Sequence, residues 1–284
     1  MGKKNLEENI FKFLMIFSTL SIIFIVILII ASILMKGLPA LSWQMLAQTP
    51  KGGYYFGKEG GILNAIIGSL YLSLGSTFLS LIIGLPVALY INIYMVKNLK
   101  TVGYIRFFLD LLCGTPSIVY GSFGFMIMIF FGLRTSLLAG IITVTILILP
   151  IMIRAMDEIF KSVPSGLTES AYSIGFTKSE VAYKIFKKQC FSGIIMAVIL
   201  SFGRAIGDTA AVLFTAGYTD NIPTSVLQPA ATLPLSIFFQ LGSPIPEVRD
   251  RVYASAVILT FIILLVSIIA RTLAKKYHKN KIKF

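Results

Sequence analysis

The chain is 284 residues long, 56% hydrophobic and only 13% charged, against about 25% charged in an ordinary soluble domain. Its mean hydropathy is +0.87, more apolar surface than a soluble core of this size can hide, so part of its solvent is lipid. Disorder is excluded, because it needs low hydrophobicity and high charge. A disulfide scaffold or a zinc centre is also excluded, with Cys113, Cys190 and His278 as the whole supply of such ligands. The net charge of +13 would suggest nucleic acid in a soluble protein; in a membrane protein such an excess sets topology, and no nucleic-acid partner is expected.

A membrane helix needs about 20 mostly apolar residues to cross roughly 30 Å of hydrocarbon. The first uncharged run is 13–35, between Lys12 and Lys36. It is longer than the roughly 7–15 apolar residues of a cleavable signal and reads as an anchor. The loop after it holds Gly52-Gly53-Tyr54-Tyr55-Phe56-Gly57-Lys58, the spacing of a phosphate-cradling loop. Glu59 stands where that motif needs Ser or Thr for magnesium, and no strand is expected before it, so nucleotide binding there is not expected. A second run covers 60–96, of which 69–94 can span. The third, 111–133, contains Gly114-Thr115-Pro116-Ser117. Proline removes one backbone hydrogen bond and frees nearby carbonyls. The segment therefore either widens a pore and presents the Thr115 and Ser117 hydroxyls or is a packing kink. Tyr120 either lines the same path or packs. The fourth run is 135–153.

Residues 154–189 form the one large soluble loop inside the core. Ser165 is placed to cap a short helix, with Glu169 near its positive end. Gly175 suits a left-handed helix stop, and Thr177-Lys178-Ser179-Glu180 is a capping box for a second helix. Helix, glycine corner, helix gives either a rigid knob for a soluble partner or an ordinary loop lying on the membrane.

The fifth run, 191–216, is apolar except for Arg204 and Asp208. Arg204 lies about 20 Å along from residue 191 at 1.5 Å per residue, near the middle of the bilayer. A spacing of four puts the two charges on one helix face. A guanidinium matches phosphate oxygens with two parallel donors, and a nearby carboxylate would orient it and keep anion binding weak enough for release. The other reading is an internal salt bridge that lets the helix insert. Gly203 and Gly207 would let a helix or a hydrated ion come close. The outer loop 217–251 carries Pro223, Pro229, Pro234, Pro244 and Pro246, and 233–241 reads as a short helix dipping toward the membrane. It would meet an external binding protein or cap the pore. The sixth run is 252–270. The tail beyond holds Lys275, Lys276, Lys279, Lys281 and Lys283, which fix topology or bind anionic lipid.

Of the 25 Lys and Arg, 18 fall in the two termini and the loops around 97–106 and 154–188. The positive-inside rule then places both ends in the cytoplasm. No nucleophile, base or metal cluster is present, so catalytic residues and cofactors are expected to be absent.

Glu169-Ser170-Ala171, Gly175 and Ile185, in their spacing and ahead of the fifth span, resemble the EAA loop of binding-protein-dependent ABC transporter permeases. That family's first Ala is here Ser170, its Leu-Pro after the Ile is here Lys187-Lys188, and some members carry Arg where Thr168 stands. The segments Gly60-Gly61-Ile62, Gly114 to Gly121, Arg204-Ala205-Ile206-Gly207-Asp208-Thr209-Ala210 and Gln228-Pro229-Ala230 resemble phosphate permeases of the PstA type, which usually have Glu in place of Asp208.

The resemblance implies an all-α polytopic protein with six transmembrane helices in the type I ABC importer permease (MetI-like) fold. Residues 1–59 would be an anchor helix and external loop, 60–273 the core with the coupling loop at about 154–190, and 274–284 a basic tail. It further implies the membrane subunit of a phosphate importer. Its partners would be a dimer of ATP-binding cassette ATPases, a second, PstC-like permease and an external phosphate-binding protein. Glu169, Ala171 and Gly175 would couple to the ATPase, and Arg204, Asp208, Thr115 and Ser117 would line the path. Another oxyanion (phosphonate, sulfate, molybdate) is the alternative substrate. A self-contained channel or carrier would keep the Arg–Asp pair but has no need of the loop.

Overall fold

The computed structural model describes residues 2–51 and 59–278. The glycine-rich stretch 52–58 and the end of the basic tail, 279–284, lie outside the described residues. The fold is helical apart from two-residue strands β1 (Pro50–Lys51) and β2 (Glu59–Gly60), which pair antiparallel.

Helix α1 (Gly2–Gly37) begins polar and charged, and from residue 13 to 35 it is apolar all round and largely exposed, as a helix surrounded by lipid is. It is held at its end, where Lys36 Nζ donates to Tyr253 Oη at 3.3 Å and Gly37 lies against the Tyr253 backbone. The short α2 (Trp43–Ala47) is capped by Ser42.

Helices α3 (Leu63–Ile93) and α6 (Leu137–Lys161) pack along their lengths and form the centre of the core. Their contact face is legible in the sequence of α3. Ser69, Ser73, Ser76, Ser80, Gly84 and Ala88 are buried at helical spacing, and small residues let two backbones approach. Several of the hydroxyls bond back to their own helix: Ser73 donates to the Ser69 carbonyl at 2.7 Å, Ser76 to Leu72 at 2.8 Å, and Thr145 on α6 to Ile141 at 2.7 Å, while Ser80 Oγ and Thr77 Oγ1 are buried without a partner. Helix α6 runs eight residues past the expected span end at 153, so the large loop begins only after Lys161.

Two expected spans are broken. The run 111–133 is α4 (Leu99–Gly114) followed by α5 (Ser117–Phe130), bent by 95°. Pro116 is the cause. It denies its predecessor the helical region, and Thr115 sits extended at φ −71°, ψ 130°. At 1.5 Å per residue, the 14 residues of α5 reach only about 21 Å, and α4 turns away at a right angle. The run 191–216 is helical only over α9 (Phe191–Ile206). Gly207 weakens the helix and the Asp208 carboxylate competes for backbone N–H groups. Its Oδ1 accepts from Ala211 N at 2.8 Å and starts a turn instead.

Helix α7 (Ser165–Ser173) and α8 (Lys178–Gln189) follow α6, with π-helical geometry at Val181–Phe186, and α8 meets α9 at 75°. Ser165 is the first helical residue of α7; Pro164 takes the cap position expected for Ser165, with its extended backbone feeding the first turn. Past Asp208 the segment up to residue 232 folds onto the ends of α3 and α6. Leu137 N donates to Gln228 O, Leu233 N to Ser69 Oγ and Asn64 Nδ2 to Thr219 O, at 2.8, 2.7 and 2.7 Å. Helix α10 (Leu233–Gln240) is the expected short helix, and α11 (Pro246–His278) closes the chain. Among the described residues, four helices are long and apolar enough to cross a membrane, and the two bent pairs bring the passes to six when each pair counts once.

Candidate functional site

The charged pair sits at the end of α9. Arg204 lies in its last turn and Asp208 just beyond it, so the two do not share a helix face. Their side chains still meet, with Arg204 Nη2 3.1 Å from Asp208 Oδ2. The two environments differ sharply. The Asp208 side chain is 2% exposed and the Arg204 side chain 46%. The carboxylate is locked from both sides, by the guanidinium and by Ala211 N. The guanidinium has donors left over, and among the described residues it is only partly covered. A Cβ placed on Gly203 would meet no heavy atom within 4 Å. A half-exposed ion pair adds about 0–1 kcal/mol of stability, whereas a charge left in the bilayer centre costs about 2.5–3.5 kcal/mol unless it faces protein or water. The pair therefore leaves an arginine at an open face and adds little stability to the helix.

The Thr115 to Ser117 corner lies close by through α5. A Cβ on Gly121 would come within 2.5 Å of the Ala210 carbonyl, so α5 is pressed against the turn that Asp208 starts. Ser117 is one helical turn before Gly121 on the same face. The Thr115 hydroxyl donates to its own helix, to Leu111 O at 3.1 Å. Tyr120 is 6% exposed, and its hydroxyl donates to Leu112 O at 2.9 Å. It staples the corner shut instead of lining an open path.

On the opposite side of the molecule α7 and α8 form a knob. Gly175 is left-handed at φ +89°. Its N–H donates to Tyr172 O and the Phe176 N–H to Ala171 O, both at 3.0 Å, the paired bonds of a Schellman stop. Thr177 and Glu180 form the expected reciprocal box, Glu180 N to Thr177 Oγ1 at 3.3 Å and Thr177 N to Glu180 Oε2 at 3.0 Å. Lys184 at 2.7 Å together with these bonds holds the Glu180 carboxyl down to about 2. Glu169 and Gly175 are exposed, whereas Ala171 is 4% exposed. Ala171 packs in one cluster with Phe160, Val181 and Phe186. It seats the knob on α6 and α8 and presents no surface of its own.

Sequence reasoning missed one charged cluster. Asp157 on α6 is fully buried. Arg106 of α4 grips it bidentately, Nε to Oδ2 and Nη2 to Oδ1, both at 2.9 Å. Arg154 Nη1 lies 2.9 Å from Oδ2, Lys161 Nζ lies 3.3 Å from it, and Asn92 Nδ2 donates to Oδ1 at 2.8 Å. Arg154 reaches back to α4 through Asp110, Nε to Oδ1 at 2.6 Å. Leaving a buried charge with no partner typically costs about 3–5 kcal/mol, and Asp157 keeps Arg154, Lys161 and Asn92 even where Arg106 is removed. The available signal was Arg154 and Asp157 at i, i+3 in a helical stretch. Assigning 154 onward to a solvated loop concealed it.

The family model for "Binding-protein-dependent transport system inner membrane component" matches residues 80–282. The phosphate transport system permease protein PstA of Yersinia pestis is 33% identical over 257 residues, 90% of this chain and 86% of the relative. That of Pasteurella multocida (strain Pm70) is 32% identical over 86% of this chain and 85% of the relative. The probable phosphate transport system permease protein PstA of Methanocaldococcus jannaschii is 30% identical over 91% and 90%. Among solved structures, an inward-facing MetNI methionine ABC transporter chain superposes with a TM-score of 0.64 at 17% identity, over 76% of this chain and 95% of that one. A chain of an amino acid ABC transporter, solved with histidines, gives 0.56 at 18% identity, over 76% and 93%. These two likenesses show that the chain shares the fold of those ABC transporter chains.

Proposed function

The chain belongs to the binding-protein-dependent transport system inner membrane component family, and on that premise we propose that it is the membrane permease subunit of an ATP-driven inorganic phosphate importer. The observation that carries the reading is the asymmetry of the charged pair. A buried, doubly held Asp208 steadies Arg204, whose side chain is 46% exposed and keeps donors that the pair does not use. A planar, always charged donor suits a phosphate oxygen pair. The half-neutralising carboxylate keeps the anion from being trapped, because conduction needs binding weak enough for release. The names of the relatives, phosphate transport permeases at 30–33% identity, point to the same substrate.

In this reading the chain performs no bond chemistry. A second, PstC-like permease covers the Arg204 face and completes the path, with Ser117 and the Thr115 corner on its wall. An ATP-binding cassette dimer docks on the knob, where Glu169 is exposed and the Gly175 corner sets the angle between α7 and α8. An external phosphate-binding protein delivers the anion to the outer cap. Both termini lie in the cytoplasm, as the distribution of Lys and Arg requires. The units are then the anchor 1–59, the core 60–273 and the tail 274–284.

The test is uptake of labelled phosphate by the reconstituted four-component complex in proteoliposomes loaded with ATP, with sulfate, molybdate and a phosphonate as competitors. Uptake that needs ATP and resists the competitors supports the reading. Uptake of phosphate that proceeds without any ATPase favours a self-contained carrier. Displacement by another oxyanion at lower concentration than phosphate moves the substrate to that anion.

A further inference from the structure

The Asp157 cluster joins two levers that lead to opposite ends of the molecule. On one side, α6 ends at Lys161 and is followed after three residues by α7, the first helix of the knob. The link is tight: Ser162 N donates to Ile159 O and Val163 N to Phe160 O, at 3.1 and 3.2 Å, and Pro164 restricts the backbone that follows. On the other side, α4 ends at Gly114 and turns through Thr115 and Pro116 into α5, which presses on the Asp208 turn. The apolar anchorage of helix α4 is one short stripe, Val102 and Leu109 buried with Ile105 packed beside them. Phe107, Phe108, Leu111 and Leu112 are exposed. What ties α4 to α6 by side-chain bonds is ionic: the two-pronged Arg106–Asp157 contact and the Arg154–Asp110 contact.

We propose that Arg106 and Asp110, acting through Asp157 and Arg154, are positioning residues that carry the movement of the knob to the Gly114–Ser117 corner and so to the substrate path. The inference rests on the transport reading above and adds a route to it. An ionic clamp suits the task. Charge-assisted bonds to a buried carboxylate are short and directional, so α4 follows α6 as a rigid body, whereas the apolar stripe alone would let it pivot. A cluster that served only to let α6 fold would not need bonds to α4, because Arg154, Lys161 and Asn92 already surround Asp157 from α6 and α3.

The test uses the complete reconstituted complex and three variants that leave Asp157 in place: Arg106→Lys, Arg106→Gln, and Arg106→Gln with Asp110→Asn. ATP turnover, phosphate uptake and the amount of assembled complex are measured on the same vesicles. The double variant is expected to lower phosphate moved per ATP by about tenfold, the scale of a coupling free energy between two sites, with ATP turnover and assembly near wild type. Arg106→Lys should fall between, since it keeps the charge but loses one prong. An unchanged ratio of phosphate to ATP in the double variant overturns the proposal. So does a parallel loss of turnover, uptake and assembled complex, which is the signature of a purely structural role. Wild-type complex that takes up no phosphate with ATP would instead overturn the transport reading and this inference with it.

Discussion

Replacing Arg204 by Lys keeps the charge and removes the fork. In the structure Nη2 is the guanidinium nitrogen at Asp208 Oδ2, 3.1 Å away, which leaves the other donors for an anion. A lysine ammonium can hold Asp208 or approach the anion as a point charge, but it cannot make two parallel bonds. A hydrogen bond to a charged group is worth about 1.5–3 kcal/mol, and at a half-exposed group solvent screening moves the value to the low end. The loss of one prong then corresponds to about a tenfold fall in phosphate uptake at limiting concentration, with a larger fall for Arg204→Gln. Asp208→Asn keeps an oxygen for Ala211 N, since Asn caps as well as Asp, and removes only the charge. Arg204→Gln combined with Asp208→Asn is therefore the decisive variant, because neither charge is left unpaired and the turn is kept. Labelled phosphate uptake at matched membrane abundance is the assay. Normal uptake by the double variant would remove Arg204 from the path and leave the pair as an insertion device.

Gly175→Val forces a β-branched residue into φ +89°, where no neighbouring atom obstructs it within 4 Å, so the effect is conformational, about 1–2 kcal/mol. Phosphate-linked ATP turnover should fall while the membrane helices still assemble; unchanged turnover in an intact complex would remove the corner from coupling. Tyr120→Phe deletes the bond to Leu112 O, and the complex should melt with about 1 kcal/mol less stability, read by thermal denaturation in detergent; no change would mean that the corner needs no staple. Gly121→Val should disturb α5 far more, since its Cβ meets the Ala210 backbone at 2.5 Å, and uptake at matched abundance reads this. A reporter fused after Phe284 should remain cytoplasmic and one inserted at 38–49 should label from outside; the opposite pattern would invert the topology.

Hydropathy and charge determine the number of passes and, through the Lys and Arg distribution, the expected orientation, because bilayer thickness and the cost of translocating cations act on short stretches of chain. The knob was equally legible. Gly175 and the Thr177–Glu180 box are local devices whose partners lie within four residues. The breaks were half legible. Pro116 marked a disturbance, but a proline can kink a span or end it. Only the 95° turn, stapled by Tyr120 and pressed by Gly121 on Ala210, decides that it ends one. In the same way Arg204 and Asp208 at i, i+4 suggested a shared helix face. The helix stops between them at Gly207, and the carboxylate is buried while the guanidinium stays open. Ala171 turned inward and Asp157 became the most heavily bonded carboxylate of the core for one reason. Burial is a property of what packs against a residue, and the partners here, Phe186 and Arg106, lie 15 and 51 positions away in the chain.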